Sequence, residues 1–184
     1  MRLLLYNIRY AVGGGASMHM PLPGAGYVLG NKDVLPEITR FVKSVDPDIV
    51  GLIEVDTGSI RSRMVNQAEQ IASDLGMNTS YETKYGSKSI NTLLPIVRKQ
   101  GNAFMAAARV HGEKFHYFDT GIKRLIIELE MREFAVFLVH LSLKYRHRHL
   151  QLRRLYDLIE ATEKPVIVAG DFNTFWGENE IYLF

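Results

Sequence analysis

Four apolar segments of this 184-residue chain end in a side chain that can hold a cation or move a proton. Leu3-Leu4-Leu5-Tyr6 runs into Asn7, and Ile49-Val50-Gly51-Leu52-Ile53 runs into Glu54. Phe137-Leu138-Val139 runs into His140, and Val166-Ile167-Val168-Ala169-Gly170 into Asp171, with Asn173 two residues further on. Two carboxylates with two amide oxygens make a hard-oxygen donor set. That set suits Mg²⁺ or Mn²⁺ and not zinc, which prefers nitrogen and sulfur. An imidazole in the same group adds a proton donor or acceptor. Sites of this kind gather at strand ends, where a rigid scaffold fixes the side chains and loops admit a substrate.

Taken singly, each residue has an ordinary structural role. Asn7 can close a strand end with a hydrogen bond. Glu54 can be a surface carboxylate, because an acid buried after Ile53 would be costly without a partner. His140, between Val139 and Leu141, can be a satisfied core histidine, and Asp171 with Asn173 can form an Asx-turn. What favours chemistry is recurrence, since all of them follow strands in a chain with little other organised polar chemistry.

The elements that would carry them alternate. Leu3 to Ile8 reads as a buried strand. Residues 11–30 hold six of the 15 glycines with Pro21 and Pro23, a long loop for a compact domain. Within it, Gly24-Ala25-Gly26-Tyr27-Val28-Leu29-Gly30 is spaced GxGxxxG, does not directly follow a strand and precedes no Gly-Lys-Ser/Thr, so it is read as plain loop. Asp33 is placed as the cap of a helix whose stripe is Val34, Leu35, Ile38, Phe41, Val42 and Val45, stopped at Asp46-Pro47. Asp48 to Glu54 reads as a buried strand. The spacing predicts a second helix over 62–75, with Val65, Ala68, Ile71, Ala72 and Leu75 inward and Gly76 past its end. Segments 78–85, 102–108, 114–119, 123–130 and 134–140 read as strands, several joined as hairpins. A helix over 146–161 buries Leu152, Leu155, Leu158 and Ile159, and the strand Val166–Ala169 follows. Hairpins among the later strands argue for a mixed sheet or two sheets. No linker or short repeat divides residues 1–184, which are read as a single domain.

Composition is that of an ordinary globular protein, with 47% apolar and 23% charged residues. A net charge of +2 announces neither nucleic acid nor membrane. With no cysteine, a disulfide framework, a zinc–thiolate site and a thiol nucleophile are all excluded. No apolar run approaches the roughly 18–20 residues of a membrane span. The apolar start is too short for a signal-peptide core, so a cytoplasmic protein is the default expectation.

The ordered set Leu5-Tyr6-Asn7-Ile8, Pro47 to Asp56, Gly101-Asn102-Ala103, Val139-His140-Leu141-Ser142 and Gly170-Asp171-Phe172-Asn173 resembles the endonuclease/exonuclease/phosphatase superfamily, the deoxyribonuclease-I-like fold. The resemblance covers essentially the whole chain. It implies a four-layer α/β/β/α sandwich, two mixed sheets packed face to face with helices outside. It also implies a Mg²⁺-dependent phosphoesterase, with Mn²⁺ as a possible substitute, in which a bound cation assists the attack of water on a phosphodiester or phosphomonoester. Glu54 would be the main metal ligand with Asn7 beside it. Asp171 would orient or deprotonate the attacking water and contribute to the metal site. Asn173 would hold a phosphate oxygen or the metal, and His140 would stabilise the phosphate's developing charge. Arg124 falls where many members place a basic residue near the site, and Asn102 and Arg124 join Asn173 as expected substrate contacts. The substrate could be nucleic acid, a phospholipid headgroup or a small phosphoester.

Two departures from the family pattern stand out. Ile53 replaces the glutamine that commonly precedes the ligand glutamate. The chain also stops at Phe184, where members continue to another Asp and a late Ser-Asp-His, so the domain reads as C-terminally incomplete. From this we expect the 184-residue chain to be impaired as an enzyme. The alternative is a non-catalytic relative that binds a partner through the same fold. Between His140 and Tyr156 lie Lys144, Arg146, Arg148, Arg153 and Arg154 with no acidic residue. That helix could steer phosphate-rich substrates or be a solvated face. The resemblance implies an arginine and a glutamine on it whatever the substrate.

Overall fold

Strand β1 (Leu3–Asn7) and strand β2 (Ile49–Asp56) are linked through helix α1 (Val34–Val45). In this computed structural model, which describes residues 1–13, 34–83, 97–119, 121, 125–175, 177 and 181, the two strands pair in parallel. Leu3 lies opposite Ile49 and Asn7 opposite Ile53. A parallel pair needs a crossover, and α1 lies in it. Helix α2 (Gln67–Leu75), β3 (Asn78–Thr83) and β4 (Gln100–Ala106) complete the first unit, Met1–Ala108, with strand order β1-β2-β4-β3. Asp33, most of the glycine-rich loop and Arg124 lie outside the described residues.

The continuous apolar run of β2 gives a strand buried on both faces. Val50 and Leu52 pack with Ile38 and Val42 of α1 and with Ile71 and Ala72 of α2, while Ile49 and Ile53 of the opposite face are also buried. Burying each such side chain stabilises by about 1.5–3 kcal/mol. Phe41, expected on the inner stripe of α1, is instead half-exposed and meets Tyr6 edge to face at 5.5 Å. The stop at Asp46-Pro47 is a left-handed Asp46, φ 52, and the Arg2 guanidinium donates to the carbonyls of Val45 and Asp46. A cation on the last carbonyls of a helix is the favourable polarity.

Helix α2 begins at Gln67, not at 62, and Val65 is partly exposed rather than inward. The cause is Asp56. Its carboxylate accepts from the backbone N–H groups of Gly58 and Ser59 and from the hydroxyls of Ser59 and Ser62, which winds the chain around a side chain up to Ser62, and Arg63 and Met64 follow at φ 57 and 65, outside the helical region. Asn66 then caps α2, and Gly76 ends it in the left-handed conformation as expected.

The second unit, Arg109–Phe184, contains β5 (Gly112–Tyr117), β6 (Leu125–Glu130), β7 (Ala135–His140), α3 (Tyr145–Glu160) and β8 (Val166–Asp171), with sheet order β5-β6-β7-β8. The pairs β5–β6 and β6–β7 are hairpins, and β7–β8 is parallel with α3 in its crossover. Leu152 and Leu155 of α3 pack on Ile126, Phe137 and Val139. The α/β class with two mixed sheets, expected from the hairpins and the resemblance, is the class observed. No helix among the described residues is long and apolar enough to cross a membrane.

The basic stretch of α3 is not one solvated face. Arg148 is 1% exposed, and its Nη1 donates to the carbonyls of Ser142 at 3.0 Å and Leu143 at 2.9 Å. Gln151 Oε1 accepts from the Ser142 N–H at 2.8 Å. The arginine and glutamine implied by the resemblance therefore brace the segment that leaves β7, and four cations remain outward.

Gly170 packs backbone to backbone against β7. A Cβ built there would lie 2.1 Å from the Val139 carbonyl oxygen, closer than real atoms approach. Gly170→Ala is expected to destabilise the protein by about 1–3 kcal/mol, read as a lower urea midpoint with an unchanged slope.

Candidate active site

Parallel pairing places the ends of β1 and β2 side by side. Asn7 closes β1, and its register partner Ile53 immediately precedes Glu54. Strand β4 runs antiparallel to β2, so its beginning lies at the same end, with Asn102 opposite Ile53. The next aligned pair is Val55 with Gly101, so Glu54 is an extra residue, a bulge. Its φ is 58, an unusual conformation for a residue with a side chain. The bulge also explains the strand's pattern. Leu52 and Val55 both reach the helix-side core, which strict alternation would forbid. Glu54 is thus the residue that the ladder leaves out, half-buried at the strand end. Its N–H donates to Asn102 Oδ1 at 3.3 Å. Asn7 Oδ1 accepts from the Arg9 N–H at 3.1 Å. Gly101 lets this edge close, because a Cβ there would sit 2.4 Å from the Glu82 carbonyl oxygen.

The second unit repeats the arrangement with other residue types. His140 ends β7 and Asp171 ends β8, directly opposite in register. His140 is buried, and its Nε2 lies 3.5 Å from Asp171 Oδ2, while the Asp171 side chain is 34% exposed. The Leu141 N–H donates to the Asp171 carbonyl. Asn173, with φ 51, folds back as an Asx-turn, its N–H donating to Asp171 Oδ1 at 3.1 Å and its Nδ2 donating to the Leu141 carbonyl at 2.9 Å. Its amide oxygen is the end left facing away from that bond. The expected residues therefore gather in two groups, Asn7, Glu54 and Asn102 in the first unit and His140, Asp171 and Asn173 in the second. Arg124 lies outside the described residues.

Among the described residues no group of three or more His, Asp or Glu could by itself hold a metal ion. A protein-only cage is therefore absent from them. Mg²⁺ does not need one, since it retains several waters and takes one or two carboxylates. The donor chemistry at the end of β1 and β2, one carboxylate and amide oxygens with no nitrogen or sulfur ligand, fits that ion.

Sequence reading missed the polar cluster beneath this end of the first sheet. Asp56, two residues after Glu54, forms an ion pair with Arg61, Oδ2 to Nη2 at 2.8 Å, both side chains fully buried. The Arg61 guanidinium lies 4.0 Å over the Tyr10 ring, and Gln67 bridges the Asp56 N–H and the Tyr10 carbonyl. The available signal was an Asp at the end of an apolar strand, followed by Ser59, Arg61 and Ser62.

A sequence model of the Endonuclease/Exonuclease/phosphatase family matches residues 4–184. No curated protein matches the chain. Among solved structures, a mannosyl-6-phosphatase of Bacteroides thetaiotaomicron is similar at TM-score 0.72 and 15% identity, over 98% of this chain and 68% of that one. An endonuclease/exonuclease/phosphatase family protein of the same organism reaches 0.69 at 15% identity, over 100% and 68%. The human Nocturnin catalytic domain with bound sulfate reaches 0.64 at 20%, over 98% and 67%. At these identities the likeness is one of fold.

The bulge depends on Asn102, which is 1% exposed. Asn102→Ala leaves the Glu54 N–H without its acceptor and is expected to cost about 1–3 kcal/mol. Asn102→Ser, which keeps a neutral oxygen acceptor and buries no charge, should lose less stability than Asn102→Ala in the same urea titration.

Proposed function

The chain belongs to the endonuclease/exonuclease/phosphatase family, and on that premise we propose that it is a Mg²⁺-dependent phosphoesterase, with Mn²⁺ an acceptable substitute. The observation that carries the reading is Glu54 on its bulge. A carboxylate held at positive φ, beside Asn7 and Asn102 at one sheet end, is strain kept at a place where the fold alone has no use for it.

In this reading Glu54 and Asn7 hold the ion. When bound, it would offset the negative charge of a phosphate ester, which otherwise repels an attacking hydroxide. Asp171 has the exposure a general base needs, and its carboxylate takes the proton of the attacking water. The imidazole of His140, in contact with that carboxylate, donates to a phosphate oxygen as charge builds on it. Asn173, fixed by its bond to Leu141, holds a phosphate oxygen in this reading. Asn102 and Arg124 are proposed substrate contacts. The substrate is a phosphodiester or phosphomonoester, nucleic acid among them, and the compartment proposed is the cytoplasm.

A thermal titration tests this. At a Mg²⁺ concentration of 100 Kd the gain is about 2.7 kcal/mol, which corresponds to a rise in Tm of roughly 5–10 °C for a chain of this size. Glu54→Gln should abolish the rise. Hydrolysis of bis(p-nitrophenyl) phosphate should require the ion, and Asp171→Asn should lower it by about 10²–10⁴-fold. A wild-type Tm indifferent to Mg²⁺ would overturn the proposal.

A further inference from the structure

From the cluster beneath Glu54 we infer that Arg61 is a positioning residue. Its buried pair with Asp56 holds the Arg9–Ala11 turn, and through it Asn7, in one frame with Glu54. The inference rests on the proposed role of Asn7 and Glu54 as ion ligands.

The turn that follows Asn7 is strained. Arg9, Tyr10 and Ala11 have φ of 47, 59 and 52, three consecutive residues with side chains at positive φ. Such conformations persist only where the surroundings over-determine them. Here the surroundings are specific. Tyr10 is 4% exposed. Its ring centroid lies 4.0 Å from the Arg61 guanidinium carbon, and its carbonyl accepts from Gln67 Nε2 at 2.7 Å. The first N–H of the turn, that of Arg9, donates to Asn7 Oδ1 and so sets the direction of that amide. The Ile8 N–H donates to the Ile53 carbonyl at 3.0 Å, which ties the start of the turn to the residue before Glu54.

The other end of the clamp is anchored at β2. Asp56 Oδ2 accepts from Arg61 Nε at 3.0 Å and Nη2 at 2.8 Å, and the Asp56 N–H donates to Gln67 Oε1 at 2.9 Å. Arg61 and Gln67 therefore each touch both Tyr10 and Asp56. The fork of Arg serves here because it bonds the carboxylate through Nε and Nη2 and keeps its cation within 4.0 Å of the ring. A lysine could do one of these but not both. Nor does stability alone account for the pair. Burying two charges costs desolvation that their attraction barely offsets, and apolar residues of like volume hold a core as well. What an apolar replacement would lack is direction.

The test uses the full 184-residue chain in two measurements. In metal-free protein, Arg61→Lys and Tyr10→Leu should speed amide exchange at Arg9, Ala11 and Val12 relative to the centre of β2. Calorimetric titration should show Mg²⁺ bound about tenfold more weakly in both. Tyr10→Phe, which keeps the ring, should match wild type in both measurements. Val42→Ala, which removes buried volume from α1, should lower Tm without singling out the turn or the Mg²⁺ affinity. Unchanged exchange at the three amides in Arg61→Lys and Tyr10→Leu would overturn the inference. So would an equal loosening and equal loss of affinity in Val42→Ala. A wild-type protein that binds no Mg²⁺ would sink the proposed function separately, and the exchange comparison would still decide whether Arg61 holds the turn.

Discussion

A parallel strand pair brings the carboxyl ends of its two strands to the same edge, whatever lies between them in sequence. This chain uses that constraint twice. In the first unit β1, α1 and β2 put Asn7 beside the strand that carries Glu54. In the second, β7, α3 and β8 put His140 opposite Asp171. Residues 47 and 31 positions apart in sequence become neighbours with no loop having to find a particular shape. The crossover helices do the rest. Their apolar stripes lock the strands, Ile38 and Val42 in one case and Leu152 and Leu155 in the other.

Regular strands alone would give a weaker site. In an unbroken ladder the Glu54 side chain would alternate with its neighbours into one face of a sheet whose two faces are both buried. The bulge removes it from that alternation, and Asn102 satisfies the backbone donor that the bulge creates. A similar logic governs the turn after Asn7, where left-handed residues are covered by charged and aromatic groups instead of being relaxed by glycine. On the second unit the irregularity is milder. A glycine permits close packing before Asp171, and an Asx-turn follows it.

Much of this was legible without coordinates, and the reason is physical. Strand ends and helix stripes follow from apolar periodicity, so β1, β2, β7, β8, α1 and α3 were placed to within about two residues of where they stand. The gathered polar residues followed from strand ends and from the resemblance. Three features were not legible. The start of α2 was displaced because Asp56 holds the Ser62 hydroxyl and Arg63 and Met64 take positive φ, so the helix can begin only after the Asn66 cap, and apolar spacing does not score any of this. Arg148 falls in the basic stretch read as steering a substrate or facing solvent, yet it lies inside, where it donates to the two carbonyls after β7. The Arg61–Tyr10 contact spans 51 positions, and no local pattern announces it.

The bulge sets an unusual condition on how this strand can change length. Ile53 points to one face and Val55 to the other, as they would if they were consecutive. Deletion of codon 54 would thus leave every remaining core residue on its present side and restore an uninterrupted ladder. Most single-residue deletions within a strand invert the inside and outside of all that follows. This one would be invisible to the hydrophobic pattern while removing the acid. The sheet is therefore indifferent to the residue proposed to hold the ion. Selection on folding alone would not retain it.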